Sequence, residues 1–123
     1  MSACRRIMVV EDDPQWAEIL AAVISLHGWV PVVACTMGEA IANLAHQPVD
    51  VTLLDLRLPD CTSEMTIDRI RMLKAMGAGR VLVVTGTEVT AELLEVLSAA
   101  GADSAITKAV HGFRATLDAI LCP

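Results

Sequence analysis

An α/β fold, a doubly wound five-stranded parallel sheet with helices on both faces, follows from three features of this 123-residue chain. Short runs rich in Val, Ile and Leu alternate with longer amphipathic stretches, and the junctions carry turn or capping residues. The runs are apolar without alternation, as in strands whose two faces are both covered; a strand with one wet face would alternate apolar and polar. Strand then helix, repeated along the chain, leaves neighbouring strands parallel, with helices as the crossovers.

The first apolar run, Ile7 to Val10, is closed by Glu11, Asp12 and Asp13. Its length and branching predict a buried strand. Asp13 then caps a helix that Pro14 opens, Leu20, Val23, Ile24 and His27 form its inner face, and Gly28 ends it. Val30 to Ala34 is the second strand. Thr36 with Glu39 makes a capping box for a helix through about Ala45, with Met37, Ala40, Ile41 and Leu44 turned inward.

Val51 to Leu54 is the third strand, ending at Asp55 and followed by Pro59. A third helix of weaker pattern is expected over Glu64 to Met76, stopped by Gly77 and Gly79, with Ser63 as its N-cap. Val81 to Val84 is the fourth strand and stops at Thr85. Thr90 to Ala100 is a helix ended by Gly101, Ser104 to Thr107 is a fifth strand stopping at Lys108, and Val110, Phe113, Leu117, Ile120 and Leu121 stripe a last helix.

The length suits one domain over residues 1–123, with a core over about 6–121 and no need of disulfides or metal for stability. The composition is 54% hydrophobic, but two Trp and one Phe are its only aromatics, so aliphatic side chains and Met build the core. A net charge of -6 argues against binding nucleic acid or an anionic membrane. Cys4, Cys35, Cys61 and Cys122 form no C-x-x-C pair, which favours free thiols over a zinc site. The apolar run after Arg5 and Arg6 is too short for a signal peptide or a membrane span, so a soluble, cytoplasmic protein is expected.

Polar residues stand at the carboxyl ends of four strands: Glu11 and Asp12, Asp55, Thr85 and Lys108. In a parallel sheet those ends share one edge, where open α/β sheets bind their ligands. An aspartate after a strand is, alone, more readily the start of a turn. Three carboxylates gathered on one edge, however, repel unless a cation neutralises them, and an all-oxygen set selects a hard ion such as Mg²⁺. Lys108 and Thr85 would complete a site for a phosphoryl group, by charge and by hydroxyl.

The segments VVEDDP, LLDLRLPD, VVTGT and ITK together resemble the receiver domain of two-component response regulators, from about Arg6 to Leu121. The resemblance implies a flavodoxin-like strand order, 2-1-3-4-5, and a signalling domain in place of a metabolic enzyme. Carried over position by position, it implies that Asp55 is the phosphoacceptor and that Glu11 and Asp12 hold Mg²⁺ with Asp55 and the Arg57 backbone carbonyl. Thr85 corresponds to the switch hydroxyl and Lys108 to the lysine that pairs with the phosphoryl group. A sensor histidine kinase or phosphotransfer protein is the implied donor. An output protein, or an output domain in a longer chain, is the implied receiver of the signal, and a homodimer is compatible with the resemblance.

Three positions depart from the family's usual pattern. Ala105 replaces an aromatic, Ala109 replaces the Pro after the lysine, and Ser63 stands where Gly is common. A non-proline cis bond costs about 2.5–4 kcal/mol, so the bond before Ala109 is expected to be trans. Two other readings compete. A flavodoxin-like flavin protein would need a Gly-, Ser- or Thr-rich phosphate loop where this chain has Glu11-Asp12-Asp13, which would repel a phosphate. A receiver fold that binds its partner constitutively, without phosphorylation, is favoured by Ala105 and opposed by the complete set of acids, threonine and lysine.

Overall fold

In the computed structural model, residues 5–86, 88–108, 118 and 121 are described. Five strands, β1 (Arg6–Val10), β2 (Val30–Ala34), β3 (Val51–Leu54), β4 (Arg80–Thr85) and β5 (Ser104–Thr107), form one sheet in the order β2-β1-β3-β4-β5. Every pairing is parallel. The expected fold class and strand order are therefore both present.

The period-2 alternation of strand side chains divides the core in two. Met8, Val10, Leu54, Val81 and Val83 point to one face, where they pack with α2 (Met37–His46), α4 (Ile70–Ala75) and Leu97 of α5 (Ala91–Ala100). Ile7, Val9, Val51, Leu53, Leu82 and Val84 point to the other, against Leu20, Val23 and Ile24 of α1 (Pro14–Leu26) and against Leu121. Burial on both faces is what makes β1, β3 and β4 read as unbroken apolar runs, whereas the edge strands β2 and β5 are only partly covered.

Helix starts follow the capping residues. Asp13 accepts from the Gln15 N–H at 2.9 Å, Thr36 from Glu39 at 3.0 Å and Thr90 from Leu93 at 3.1 Å. The return arm of the capping box differs from expectation, since the Glu39 carboxylate reaches the Cys35 N–H at 3.3 Å. Gly28 (φ 80) and Gly101 (φ 110) follow α1 and α5 in the left-handed region, as stop signals should.

The third helix is where the structure corrects the sequence reading. It is two short helices, α3 (Ser63–Asp68) and α4, meeting at Arg69. The Arg69 N–H is shared between the carbonyls of Met65 and Thr66, both at 3.1 Å, so the α-helical ladder tightens there toward 3₁₀ geometry. Within α3 the Thr66 hydroxyl also donates to the Thr62 carbonyl at 2.8 Å, a bond that bends helices. Thr62, and not Ser63, is the N-cap, accepting from the Met65 N–H at 3.2 Å.

The last helix lies almost wholly outside the described residues, as do Thr87, Ala109, Cys4 and Cys122. Of its expected stripe, Leu121 is described and is buried, and its carbonyl accepts from the Trp29 indole at 3.0 Å. Among the described residues no helix is long and apolar enough to cross a membrane.

Candidate functional site

At the carboxyl edge of the sheet each key residue is held by its own backbone. The parallel hydrogen-bond ladder runs one residue past the strand ends: Glu11 N–H donates to Ala34 O at 2.9 Å, Asp55 N–H to Val10 O at 3.0 Å, and Lys108 N–H to Thr85 O at 2.7 Å. The first residue after β1, β3 and β5 is thus as fixed as the strand itself. Sites on such rigid elements hold their geometry better than sites on free loops.

The side chains converge. Carboxylate oxygens of Glu11, Asp12 and Asp55 lie within 4.8 Å of one another. The Lys108 ammonium donates to Glu11 Oε1 and, at 3.2 Å, to Asp55 Oδ2. The other oxygen of Asp55, Oδ1, accepts from the Arg57 N–H at 3.1 Å, and Glu11 Oε2 accepts from the Asp13 N–H at 3.1 Å. Glu11 and Asp55 are buried at 2% and 7% exposure, while Asp12 faces solvent.

The electrostatics leave the site short of positive charge. Burial pushes the Glu11 carboxyl up to about 7; its bonds from Lys108 and the Asp13 N–H pull the other way, and Asp55 adds to the rise. Burial opposes the charge on Lys108, but the Glu11 hydrogen bond and the charges of Asp55 and Glu11 outweigh it, so Lys108 is held above the usual lysine value. Among the described residues one cation stands against three clustered carboxylates, an incomplete balance. An all-oxygen donor set with an exposed member, open to water, suits a divalent ion that keeps part of its hydration shell, as Mg²⁺ does.

Thr85 is buried at the end of β4, with its carbonyl bonded to Lys108 as above. Arg57 is exposed, and its backbone N–H is what reaches Asp55. Asp13 caps α1, as expected from its place beyond the acidic pair. Ala105 is partly buried against the core cluster that contains Leu97, Ile70 and Val83.

Two participants were not read from the sequence. Trp16, in the first turn of α1, places its ring 5.3 Å from the Lys108 ammonium. Asp60, in the loop after β3, accepts from the N–H groups of Met37 and Gly38, both at 2.9 Å, and so ties that loop to the start of α2. These backbone N–H groups hold its carboxyl below the usual aspartate value. The signals were present: an aromatic one turn after the acidic run, and an acid directly after Pro59.

The family profile of the response regulator receiver domain matches residues 7–119. The transcriptional regulatory protein KdpE of Mycobacterium tuberculosis is 30% identical over 102 residues, which cover 83% of this chain and 43% of that protein. The chain thus spans less than half the length of this relative. Among solved structures, a CheY-like receiver domain protein from Methanospirillum hungatei superposes with a TM-score of 0.79 at 26% identity, covering 96% of this chain and 91% of the other. The receiver domain of the sensor histidine kinase PA1611 from Pseudomonas aeruginosa, with magnesium coordinated in its active site cleft, gives 0.77 at 24% identity, covering 97% and 95%.

Proposed function

Because this chain belongs to the response regulator receiver domain family, we propose that Asp55 accepts a phosphoryl group from a phosphohistidine on a sensor histidine kinase or phosphotransfer protein. One observation carries the proposal: the two oxygens of a single buried carboxylate are bound differently. Asp55 Oδ1 accepts from the Arg57 N–H and Oδ2 from the Lys108 ammonium, and the carboxylate lies beside the acids of the β1 edge. In the transfer, an Asp55 oxygen forms a bond to phosphorus as the phosphorus–nitrogen bond breaks, and the electron pair stays on the imidazole. Lys108 stands ready to meet the negative charge of the phosphoryl oxygens, and Thr85 offers a hydroxyl to the product.

Mg²⁺ is the proposed cofactor, held by Glu11, Asp12, Asp55 and the Arg57 carbonyl, and when bound it would neutralise phosphoryl charge during transfer. Asp12 is the open side of this set, because Glu11 is already engaged by Lys108 and by the Asp13 N–H. Asp12→Ala should therefore weaken Mg²⁺ binding at least tenfold without unfolding the protein. Titration calorimetry checks this, and equal affinity in the two proteins would remove Asp12 from the site.

The phosphorylated site then biases a conformational equilibrium that an output protein, or an output domain in a longer chain, reads in the cytoplasm. With a methyl group at Ala105, the fifth strand has little to report. Beryllofluoride, a phosphoryl mimic, should perturb the amide signals of Gly86 and of Glu88 to Glu92 strongly and those of Ser104 to Ile106 weakly. Matched large shifts in both segments would instead mean that the Leu97 cluster transmits the change in place of an aromatic.

The deciding experiment is incubation with acetyl phosphate and Mg²⁺, read as a gain of one phosphoryl mass that hydroxylamine removes. No gain under conditions that label another receiver would leave the constitutive, unphosphorylated scaffold as the better reading.

A further inference from the structure

Trp16 has no part in the phosphoryl chemistry described above, yet it borders the group on which that chemistry depends. The Lys108 ammonium carries three N–H bonds. Two carboxylates, Glu11 and Asp55, take up part of this capacity, and the face of the Trp16 ring lies 5.3 Å from the same nitrogen. The Lys108 side chain is only 13% exposed. A lysine has a flexible stem and a strongly hydrated head, so keeping it out of water needs attraction on every side.

The geometry of α1 explains why the ring reaches this place. Pro14 is the first residue of α1 and follows the acidic run directly, so three residues separate the first turn of the helix from the end of β1. Trp16 is half-buried there, while Ala17 turns into the core. We propose that Trp16 is a positioning residue for Lys108: its indole face draws the ammonium by cation–π attraction and shields it from water, fixing it between Glu11 and Asp55 before a phosphoryl group arrives. This rests on Asp55 being the acceptor. A cation already in place spares the site a reorganisation at the moment when charge develops.

The role separates from mere space-filling by the choice of substitution. Leucine fills much of the volume with no π face; phenylalanine keeps a face of weaker attraction. Trp16→Leu is expected to slow labelling by acetyl phosphate by between about twofold and about thirtyfold, the range of a cation–π contact from exposed to desolvated. Trp16→Phe should recover most of the rate. A second readout needs no phosphorylation: the ε-methylene protons of Lys108 should be shifted upfield by the ring in the wild type and in Trp16→Phe, and should return to ordinary positions in Trp16→Leu.

Equal loss of rate in the Leu and Phe variants would overturn the proposal in favour of packing alone. Ordinary Lys108 shifts in the wild type would overturn it directly, even if the Leu variant folds poorly. Wild-type labelling matched by Trp16→Leu sinks the positioning role and leaves Asp55 as acceptor, whereas a wild type that takes no label overturns both.

Discussion

Asp55→Asn is expected to abolish labelling by acetyl phosphate while leaving the urea midpoint of the protein nearly where it was. An amide oxygen is too poor a nucleophile to take the phosphoryl group, so the chemical loss is complete. Stability is decided by two opposing effects of similar size. The Lys108 bond to Asp55 Oδ2 is lost, and hydrogen bonds to charged groups are worth about 1.5–3 kcal/mol. In return one carboxylate charge leaves a cluster whose oxygens lie within 4.8 Å of one another. Repulsion between unit charges near that distance is on the order of 3 kcal/mol at an effective dielectric of about 20. The amide oxygen can still accept from the Arg57 N–H, and Lys108 keeps Glu11. Labelling that persists in Asp55→Asn would move the acceptor to another carboxylate. A large fall in the midpoint would mean that the Lys108 bond outweighs the repulsion.

The strand ends were legible because a strand buried on both faces announces itself as an unbroken apolar run, and the residue that breaks the run must sit at the sheet edge. Glu11, Asp55 and Thr85 could be placed on one edge for that reason, and Lys108 by its place after the short mixed run Ser104–Thr107. What the runs do not carry is the third dimension of the site. Nothing in the order of residues says that Glu11 is nearly inaccessible and bound to Lys108, since Glu11 and its neighbour Asp12 read alike and only one faces water. Trp16 reads as one more apolar residue on an amphipathic helix, and its meeting with Lys108 depends on the long lysine side chain reaching from the end of β5 across the sheet edge to Glu11 and the start of α1. The break at Arg69 was hidden because it arises from one shared N–H and a threonine bonded back along its own helix, in a stretch without Gly or Pro.

Gly79 shows the same limit from the side of stability, and its substitution carries the largest expected structural effect. Its place after the third helix reads as a second stop signal behind Gly77. The structure gives it another task. Gly79 has φ +67, and a Cβ built there would lie 2.1 Å from the Asp50 carbonyl oxygen and 2.8 Å from that of Val49. Asp50 cannot give way: its carbonyl accepts from the Arg80 N–H at 3.1 Å, its own N–H donates to Arg6 O at 2.9 Å, and its side chain accepts from the Arg6 N–H at 2.9 Å. These bonds start β1, β3 and β4 together. Gly28 provides the comparison, with φ +80 and nothing within 4 Å of the added Cβ. Gly28→Ala should cost the conformational penalty alone, about 1–2 kcal/mol. Gly79→Ala adds a backbone clash and should cost at least about 3 kcal/mol, a large share of the 5–15 kcal/mol that holds a domain together. Urea unfolding of the two variants measures the difference. Equal losses would mean that the strand starts can part without penalty, and the pairing of Asp50 with Arg6 and Arg80 would then contribute little. Gly79 lies at the opposite edge of the sheet from Asp55, so at low temperature the folded fraction of Gly79→Ala should still take up label at the wild-type rate.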